Sequence, residues 1–117
     1  MAARPYGRLT RRSEFLRVAS AGRKVPAGGV VLQALRRSDE APARLGFTVT
    51  KKVGNAVVRN RTRRRMKEAA RLLLKTRPVS GVDLVLIGRA STRARPFAEL
   101  VADIGRALDG AGVKGAS

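Results

Sequence analysis

Apolar positions along this chain recur with two different spacings, and the spacing separates predicted helices from predicted strands. Residues 30–35, 45–50 and 82–87 are short runs rich in β-branched and aliphatic side chains, which predicts strands. The run 82–87 is almost continuously apolar, as expected of a strand that is buried on both faces. The segment 97–108 follows Pro96 and has the period of a helix, with apolar side chains at Phe97, Leu100, Val101, Ile104 and Leu108.

Turn and capping residues suggest how these elements follow one another. The segment 38–42 supplies turn residues between the first two runs, so we expect 45–50 to be the antiparallel partner of 30–35. A short helix at 13–19 is predicted by an N-cap serine followed by an acid, and Gly22 is its stop signal. Together with a long helix described next, these elements predict an α+β fold built on a small mixed sheet.

The longest predicted helix runs from Ala56 to about Lys75, and its two sides differ in chemistry. At about 100° per residue, one stripe of this helix is apolar or small. That stripe comprises Val58, Thr62, Met66, Ala69 and Leu73. The opposite side is polar and basic, and it comprises Asn60, Arg61, Arg63, Arg64, Lys67, Arg71 and Lys75. We therefore expect the apolar stripe to pack on the sheet and the basic side to face outward.

The charge of the chain indicates a polyanionic partner. Its 117 residues fit one domain, and 26 Lys and Arg against 8 Asp and Glu give a formal net charge of +18. Like charges three and four residues apart repel on a helix, so the basic side costs stability unless a polyanion screens it. Arginine is more frequent there than lysine, which favours recognition of phosphate and hence RNA or DNA. A membrane fits less well, because the opposite side is needed for the core and lacks aromatic anchors.

Several kinds of chemistry are excluded by composition. With no cysteine and no histidine, the chain has no disulfide, no thiolate zinc site, no Cys or His nucleophile and no imidazole acid–base group. Of its 8 carboxylates only Asp39 and Glu40 are adjacent, so a self-sufficient two-metal nuclease is not expected. The longest apolar run, 84–87, is too short to cross a bilayer, and no apolar segment follows the basic residues 1–12. We expect a cytoplasmic protein without a membrane segment.

One stretch resembles the signature of a known family. The run 51–64, KKVGNAVVRNRTRR, is similar to the hallmark of the bacterial ribonuclease P protein family, in which Arg-Asn-Arg opens a long helix after Lys-Lys-x-Gly-Asn-Ala. The preceding segment 44–50, RLGFTVT, resembles the strand that leads into that motif. Arg8-Leu9 and Phe15 resemble the N-terminal segment of the family. The resemblance extends over about residues 8 to 108.

The resemblance implies a fold that agrees with the predicted elements. That fold is a compact two-layer α-β sandwich with about four strands and three helices. In it the basic helix connects two parallel strands by a left-handed crossover. We expect a single domain over residues 1–117, with its core at about 8–109 and a flexible tail at 110–117.

The resemblance also implies an activity. Proteins of this family bind a large catalytic RNA and help it to take precursor tRNA, whose 5′ leader the RNA removes with magnesium. This chain would be the non-catalytic protein subunit of that endoribonuclease, with no catalytic residue and no metal ligand of its own. Magnesium would be held mainly by the RNA and the substrate. The partners would be the catalytic RNA and precursor tRNA, with no membrane and no obligate protein partner.

Two sites are implied residue by residue. The surface for the catalytic RNA comprises Lys51, Lys52, Asn55, Arg59, Asn60, Arg61, Arg63, Arg64, Lys67 and Arg71. The cleft for the precursor-tRNA leader comprises Arg11, Phe15 and Gln33. Aromatic side chains are common in the family where this chain has Ala19 and Gln33. We therefore expect weaker base stacking, with hydrogen bonds or charge from Gln33, Arg11 or Arg17 in its place.

Three assignments stay open at this point. Asn55 either contacts RNA or caps the long helix. Phe15 either stacks on a base of the leader or packs under the sheet. For the whole chain, a structural RNA-binding protein such as a ribosomal component is the alternative, and a DNA-binding module is a third interpretation. Both alternatives explain the charge, but neither gives a reason for the run 51–64.

Overall fold

The computed structural model describes residues 6–113 and contains every helix and strand predicted above, with ends that differ by at most two residues. In chain order the elements are β1 (Gly7–Arg8), α1 (Arg12–Ala21), β2 (Arg23–Ala27), β3 (Val30–Arg36), β4 (Arg44–Val49), a 3-10 turn (Lys51–Val53), α2 (Ala56–Thr76), β5 (Val82–Gly88), α3 (Ala90–Ala94) and α4 (Phe97–Gly110). The elements that the sequence did not predict are all short, namely β1, β2, the 3-10 turn and α3. Within residues 6–113, no helix is long and apolar enough to cross a membrane.

The five strands of residues 6–113 form one mixed sheet in the order β1-β4-β5-β3-β2. The central strand β5 is parallel to β4 and antiparallel to β3. The prediction that 45–50 pairs directly with 30–35 is therefore wrong. β5 lies between them because its side chains are apolar on both faces, so it is most stable in the middle of a sheet that is covered on both sides.

At the far edge, β3 pairs with β2, a strand that the sequence did not predict. The exposed residues of β2 are Arg23, Lys24 and Pro26, which are typical of an edge strand. They interrupt the alternation of polar and apolar residues that identifies a half-buried strand in a sequence. The turn at Gly28 and Gly29 joins the two strands, and Gly28 has a φ of 53°, which favours glycine. The sheet therefore has five strands instead of about four.

Helices cover the two faces of the sheet unequally. α2 and α4 pack on one face over the larger core, which includes Leu32, Met66, Leu84 and Ile104. α1 crosses part of the other face, where its Val18 packs in a smaller cluster. The predicted two-layer sandwich describes the side with α2 and α4, and α1 adds a partial layer on the opposite side.

α2 connects β4 to β5, which are parallel neighbours. This is the connection that the family resemblance implies, and its left-handed sense stays a prediction. Because parallel strands end at the same edge of a sheet, the segments that follow β4 and β5 come together there. The 3-10 turn after β4 accordingly packs beside α3, which follows β5.

α2 packs on the sheet through a face that is rotated from the predicted one. Its buried side chains are Thr62, Met66, Ala69, Ala70 and Leu74. Most of the predicted stripe is confirmed, but Val58 and Leu73 are only half-buried, while Ala70 and Leu74 are buried. The packed face is turned by about 40° at about 100° per residue. The rotation carries the arginines on that flank of the helix towards the border of the core.

The packed part of the chain extends past the predicted core boundary at residue 109. Ala111 and Val113 are each 7% exposed and belong to the main core. Gly112 makes the turn between them with a φ of 72°. The prediction of a flexible tail from residue 110 is therefore wrong for residues 110–113, and the rest of that tail, 114–117, lies outside the described residues.

Candidate nucleic-acid interface

The start of α2 is fixed by the two residues before it. The side-chain oxygen of Asn55 accepts a hydrogen bond from the backbone N–H of Val58 at 3.0 Å, so Asn55 caps the helix. At Gly54 the φ is 156°, and a Cβ there would lie 2.9 Å from the Val58 side chain. The capping role of Asn55 is thus confirmed, and its exposed amide nitrogen still has two N–H groups to donate.

Four cations around this helix start are exposed and pair with no acid in the part of the chain that the structure describes. We call these residues the basic face; they are Lys51, Lys52, Arg61 and Arg64. The 3-10 turn carries the two lysines and α2 carries the two arginines. A concentration of unpaired, solvent-exposed cations is what binding to a phosphate backbone requires.

Other residues of the predicted RNA surface are partly engaged within the protein. Asn60 accepts a hydrogen bond from an Arg63 guanidinium nitrogen at 2.8 Å, which orients the half-buried Arg63 side chain. Arg59 is also half-buried, and its Nε is buried with no hydrogen-bond partner among the residues that the structure describes. The rotation of α2 explains both positions, because these two arginines lie on the flank that turns towards the core.

Arg71 has an acidic neighbour on the same helix. Its Nε lies 3.1 Å from Glu68 Oε2, and this hydrogen bond lowers the pKa of Glu68. The side chain of Arg71 is 41% exposed and that of Glu68 is 54% exposed, and ion pairs exposed to this extent contribute little to stability. A phosphate can therefore compete for Arg71, but this end of the helix is less basic than the sequence suggested.

A groove lies along the open edge of β4, and we call it the edge groove. Within the described part of the chain, β1 pairs with β4 only at residues 44–45, so the edge of β4 has no strand partner there from Gly46 onward. The edge groove has a volume of about 640 Å³. Its lining combines two phenylalanines with the cations of α2, namely Phe15, Phe47, Arg63, Arg64, Lys67 and Arg71.

Phe15 reaches the edge groove because Gly46 leaves room for it. A Cβ on Gly46 would lie 2.3 Å from Phe15 Cε1, so any side chain there would displace the ring. Phe15 is half-buried and packs against the small cluster that contains Val18 and Val85. The ring of Phe15 therefore packs against the sheet and also lines the edge groove. The packing interpretation is confirmed, and stacking on a base of the leader stays a prediction.

The other two residues of the predicted leader cleft do not line the edge groove. Gln33 is half-buried and lies in the same row of the sheet as Gly46, with Val85 between them. Two strand spacings put it about 10 Å from Gly46. Arg11 is exposed at the start of α1. The structure thus brings Phe15 together with the cations of α2 and leaves Arg11 and Gln33 outside that groove.

A partly buried ion network attaches α1 to the sheet beside the edge groove. Arg44 on β4 contacts Asp83 on β5 at 2.7 Å and Glu14 on α1 at 2.8 Å. Backbone N–H groups of Arg11 and Thr10 donate to Glu14, and these bonds lower the pKa of Glu14. This network fixes the first turn of α1, and therefore Phe15, relative to β4.

Two buried aspartates are held ionised by arginines. Burial opposes ionisation of Asp83, but hydrogen bonds from Arg44 and Arg37 outweigh it and hold the pKa of Asp83 below its ordinary value. Asp103 is fully buried, and Arg95 together with the backbone N–H of Gly29 likewise lowers its pKa against the effect of burial. These carboxylates stabilise the fold, and their oxygens are already engaged by cationic donors.

Two basic residues of this surface were missed by the sequence analysis. Arg89 directly precedes α3 and Arg93 lies within it, and both side chains are exposed. Because α3 packs beside the 3-10 turn, these arginines extend the basic face from Lys51 and Lys52. Arg89 follows β5, a buried strand that is parallel to β4, and this position could have placed it on the basic face. The sequence analysis had not paired β4 with β5, so it could not use this position.

Comparison with known proteins gives a consistent picture. A sequence model of the Ribonuclease P family matches residues 4–112. The chain is 67% identical over 109 residues to the ribonuclease P protein component of Gluconacetobacter diazotrophicus, covering 93% of this chain and 94% of that protein. It is 46% identical over 112 residues to that of Paramagnetospirillum magneticum, covering 92% of this chain and 84% of that protein.

Solved structures are similar over most of their length as well. The RNase P protein from Thermotoga maritima has a TM-score of 0.74 at 26% identity, covering 86% of this chain and 94% of that one. The Staphylococcus aureus RNase P protein has a TM-score of 0.74 at 25% identity, covering 96% of this chain and 98% of that one. The mixed sheet and its helices are therefore those of the same fold.

Proposed function

This chain belongs to the bacterial ribonuclease P protein family, and on that premise we propose that its basic face binds the catalytic RNA while its edge groove contacts the leader of precursor tRNA. As a family member it is the protein component of an endoribonuclease holoenzyme that processes tRNA 5′ leaders together with an RNA subunit. The ribosomal and DNA-binding alternatives lose their support, since neither accounts for the family match.

One observation supports the proposal most strongly. Lys51, Lys52, Arg61 and Arg64 are exposed at the start of α2 and pair with no acid among residues 6–113. Unpaired cations repel one another, and a phosphate backbone relieves that repulsion while it releases counterions from the RNA. Contacts of this type position the RNA and carry little sequence information.

The leader assignment is supported by the combination of aromatic and cationic side chains in the edge groove. Phe15 offers a surface on which a base can stack, and Arg64 and Lys67 lie on the other wall of the same groove. A single-stranded leader presents both bases and phosphates, so it matches such a lining. Gln33 and Arg11 lie outside the groove, and we assign them to the continuation of the leader along the sheet face.

Magnesium is proposed to be held by the RNA and the substrate. A catalytic metal site built by the protein would need several free carboxylates close together. Here Asp83 and Asp103 are bound by arginines, and no group of three or more acidic, His or Cys side chains that could hold a metal occurs among residues 6–113. The donor set therefore suits stabilisation of the fold better than metal binding. We place the protein in the cytoplasm, where precursor tRNA is made.

Reconstitution tests the proposal. We expect the purified protein to raise precursor-tRNA cleavage by the cognate catalytic RNA at low magnesium, and to cleave nothing on its own. Changing Arg61, Arg64 and Lys67 together to Glu should abolish holoenzyme assembly, because the basic surface becomes acidic. Circular dichroism should show an unchanged fold. Cleavage by the protein without RNA would contradict the assignment.

Salt dependence provides an independent readout. If the basic face neutralises phosphates, the affinity for the catalytic RNA should fall steeply as salt rises, with a slope of about 0.7–0.9 per contact in a log–log plot. Replacing Arg36 by Met is a suitable control, because that exposed arginine lies on β3 and donates to the backbone carbonyl of Gly112, near the C-terminal end of α2 and far from the basic face at its start. The control should keep the slope of the wild type, whereas Arg64→Met should lower it.

A further inference from the structure

Arg65 differs from the other arginines of α2 in what its guanidinium contacts. It donates hydrogen bonds to the backbone oxygens of Thr92 at 2.8 Å and Arg93 at 3.1 Å, and it also donates to the backbone oxygen of Arg95. Its side chain is half-buried. Arg65 thus points at the C-terminal end of α3, although the sequence places it in the middle of a basic run.

Besides Arg65, Thr92 within α3 and Arg95 just after it hold this helix in place, the latter through its ion pair with the buried Asp103 at 2.8 Å. The helix has five residues, and only Thr92 is buried. The hydroxyl of Thr92 donates to the backbone oxygen of Gly29 and accepts from the backbone N–H of Arg89 at 2.8 Å. The last carbonyls of a helix lack partners within the helix, and a cation at that end also interacts favourably with the helix dipole. Arg65 supplies both a donor and a positive charge, so it binds the backbone at the C-terminal end of α3.

The residues that α3 presents are the ones missed by sequence analysis. Arg89 and Arg93 are exposed, and neither forms an ion pair with an acid of the described chain. α3 packs between the 3-10 turn and α2, so these two cations continue the basic face. Their position depends on how firmly this short helix is held.

We propose that Arg65 is a positioning residue for RNA binding. It does not contact RNA itself; it holds α3 so that Arg89 and Arg93 reach phosphates of the catalytic RNA. The inference rests on the proposed function, since it needs the basic face to be the RNA-binding surface. It makes a specific prediction, because a residue that acts only through others has no effect once those others are removed.

A set of variants tests this coupling through the affinity for the catalytic RNA, measured by filter binding over a range of salt. Arg65→Met should weaken binding several-fold. The double variant Arg89→Met, Arg93→Met should weaken it at least as much and lower the log–log salt slope by about 1.4–1.8, the value for two phosphate contacts. Adding Arg65→Met to that double variant should cause no further loss. Arg64→Met is the matched control in the same helix. It should weaken RNA binding both in the wild type and in the double variant.

Arg65→Lys separates positioning from charge, and it covers the case in which the methionine variant does not fold. Lysine keeps the positive charge but lacks the planar fork that reaches several carbonyls at once. We expect it to weaken RNA binding as Arg65→Met does. Melting curves followed by circular dichroism should show that the lysine variant folds.

The possible outcomes distinguish this inference from the proposed function. If Arg65→Lys binds like the wild type, or if Arg65→Met adds fully to the double variant, Arg65 contacts RNA directly and the inference is wrong. It is also wrong if the double variant binds as tightly as the wild type, since α3 then lies outside the interface. If Arg64→Met has no effect in any background, the assignment of the basic face itself fails.

Discussion

Arg64 and Arg65 are neighbours in the sequence, yet their guanidinium groups have different surroundings. Arg64 is exposed and lines the edge groove, whereas Arg65 is bound to carbonyl oxygens of α3. The 100° spacing placed Arg64 on the basic side of α2 and left Arg65 out of it, but it could not show what Arg65 contacts. That contact depends on α3, a five-residue helix without apolar periodicity. Single residues were therefore the level at which the sequence predicted least.

Gly46 provides a prediction at this scale. Gly46→Ala would place a Cβ 2.3 Å from Phe15 Cε1, so the ring must move out of its site. We expect a loss of about 1–3 kcal/mol in the free energy of unfolding, the usual cost of overpacking. The holoenzyme should also lose affinity for precursor tRNA relative to mature tRNA. Urea unfolding and paired binding measurements with the two tRNA forms check both effects.

Gly105→Ala is the control for this substitution. Gly105 lies within α4, and a Cβ added there would lie 3.9 Å from the nearest side-chain atoms, so a methyl group fits. Alanine in a helix is favoured over glycine by about 0.5–1 kcal/mol, so this variant should be more stable than the wild type. A Gly46→Ala protein with the stability and tRNA affinity of the wild type would show that Phe15 does not depend on this glycine.

At the scale of elements, prediction succeeded where a segment carries its own signal. α2 and α4 were predicted because their apolar periods are long, and β5 because its apolar run is continuous. The strand pairing was wrong because the turn residues at 38–42 suggested a hairpin, whereas the sheet places β5 between the two strands. The part of the candidate site on α2 was predicted. The part on α3 was missed, because the parallel pairing of β4 with β5, which brings α3 beside the 3-10 turn, was not predicted.

Asn55 provides a prediction at the scale of an element, because it determines the start of α2. Asn55→Ala should cost about 1 kcal/mol of stability through loss of the cap. Asn55→Ser keeps a capping oxygen, so its unfolding curve should match that of the wild type, but it has no amide N–H to donate. We expect the serine variant to bind the catalytic RNA more weakly. Full affinity in that variant would mean that Asn55 acts only as a cap.

For the whole molecule, the buried acidic side chains stabilise the fold, and the unpaired basic side chains are exposed at the surface. Asp83 and Asp103 are buried and bound by arginines, while the exposed cations of the basic face pair with no described acid. The net charge of +18 is therefore displayed at the surface, where a polyanion can meet it. Sequence composition predicted this partner class, because net charge does not depend on how the strands pair.

The pH dependence of stability follows from these aspartates. Their pKa values are lowered in the folded protein, so their contribution is complete above the unfolded value of about 4 and is lost as pH falls through the lower folded values. The chain has no histidine, so the free energy of unfolding should change little between about pH 5 and 8. Urea unfolding at a series of pH values checks this. A marked loss of stability beginning near neutral pH would contradict it.

The shortness of β1 has a consequence for the protein before it meets its RNA. An open strand edge is a template on which a second copy can add its own strand, and this is a common route to aggregation. Beyond Leu45 no strand among residues 6–113 covers this edge of β4, but Arg63 and Arg64 line the space in front of it. An approaching copy would bring the same cations, and the two would repel each other. The residues proposed to hold the RNA would thus also keep newly made chains apart until the RNA arrives.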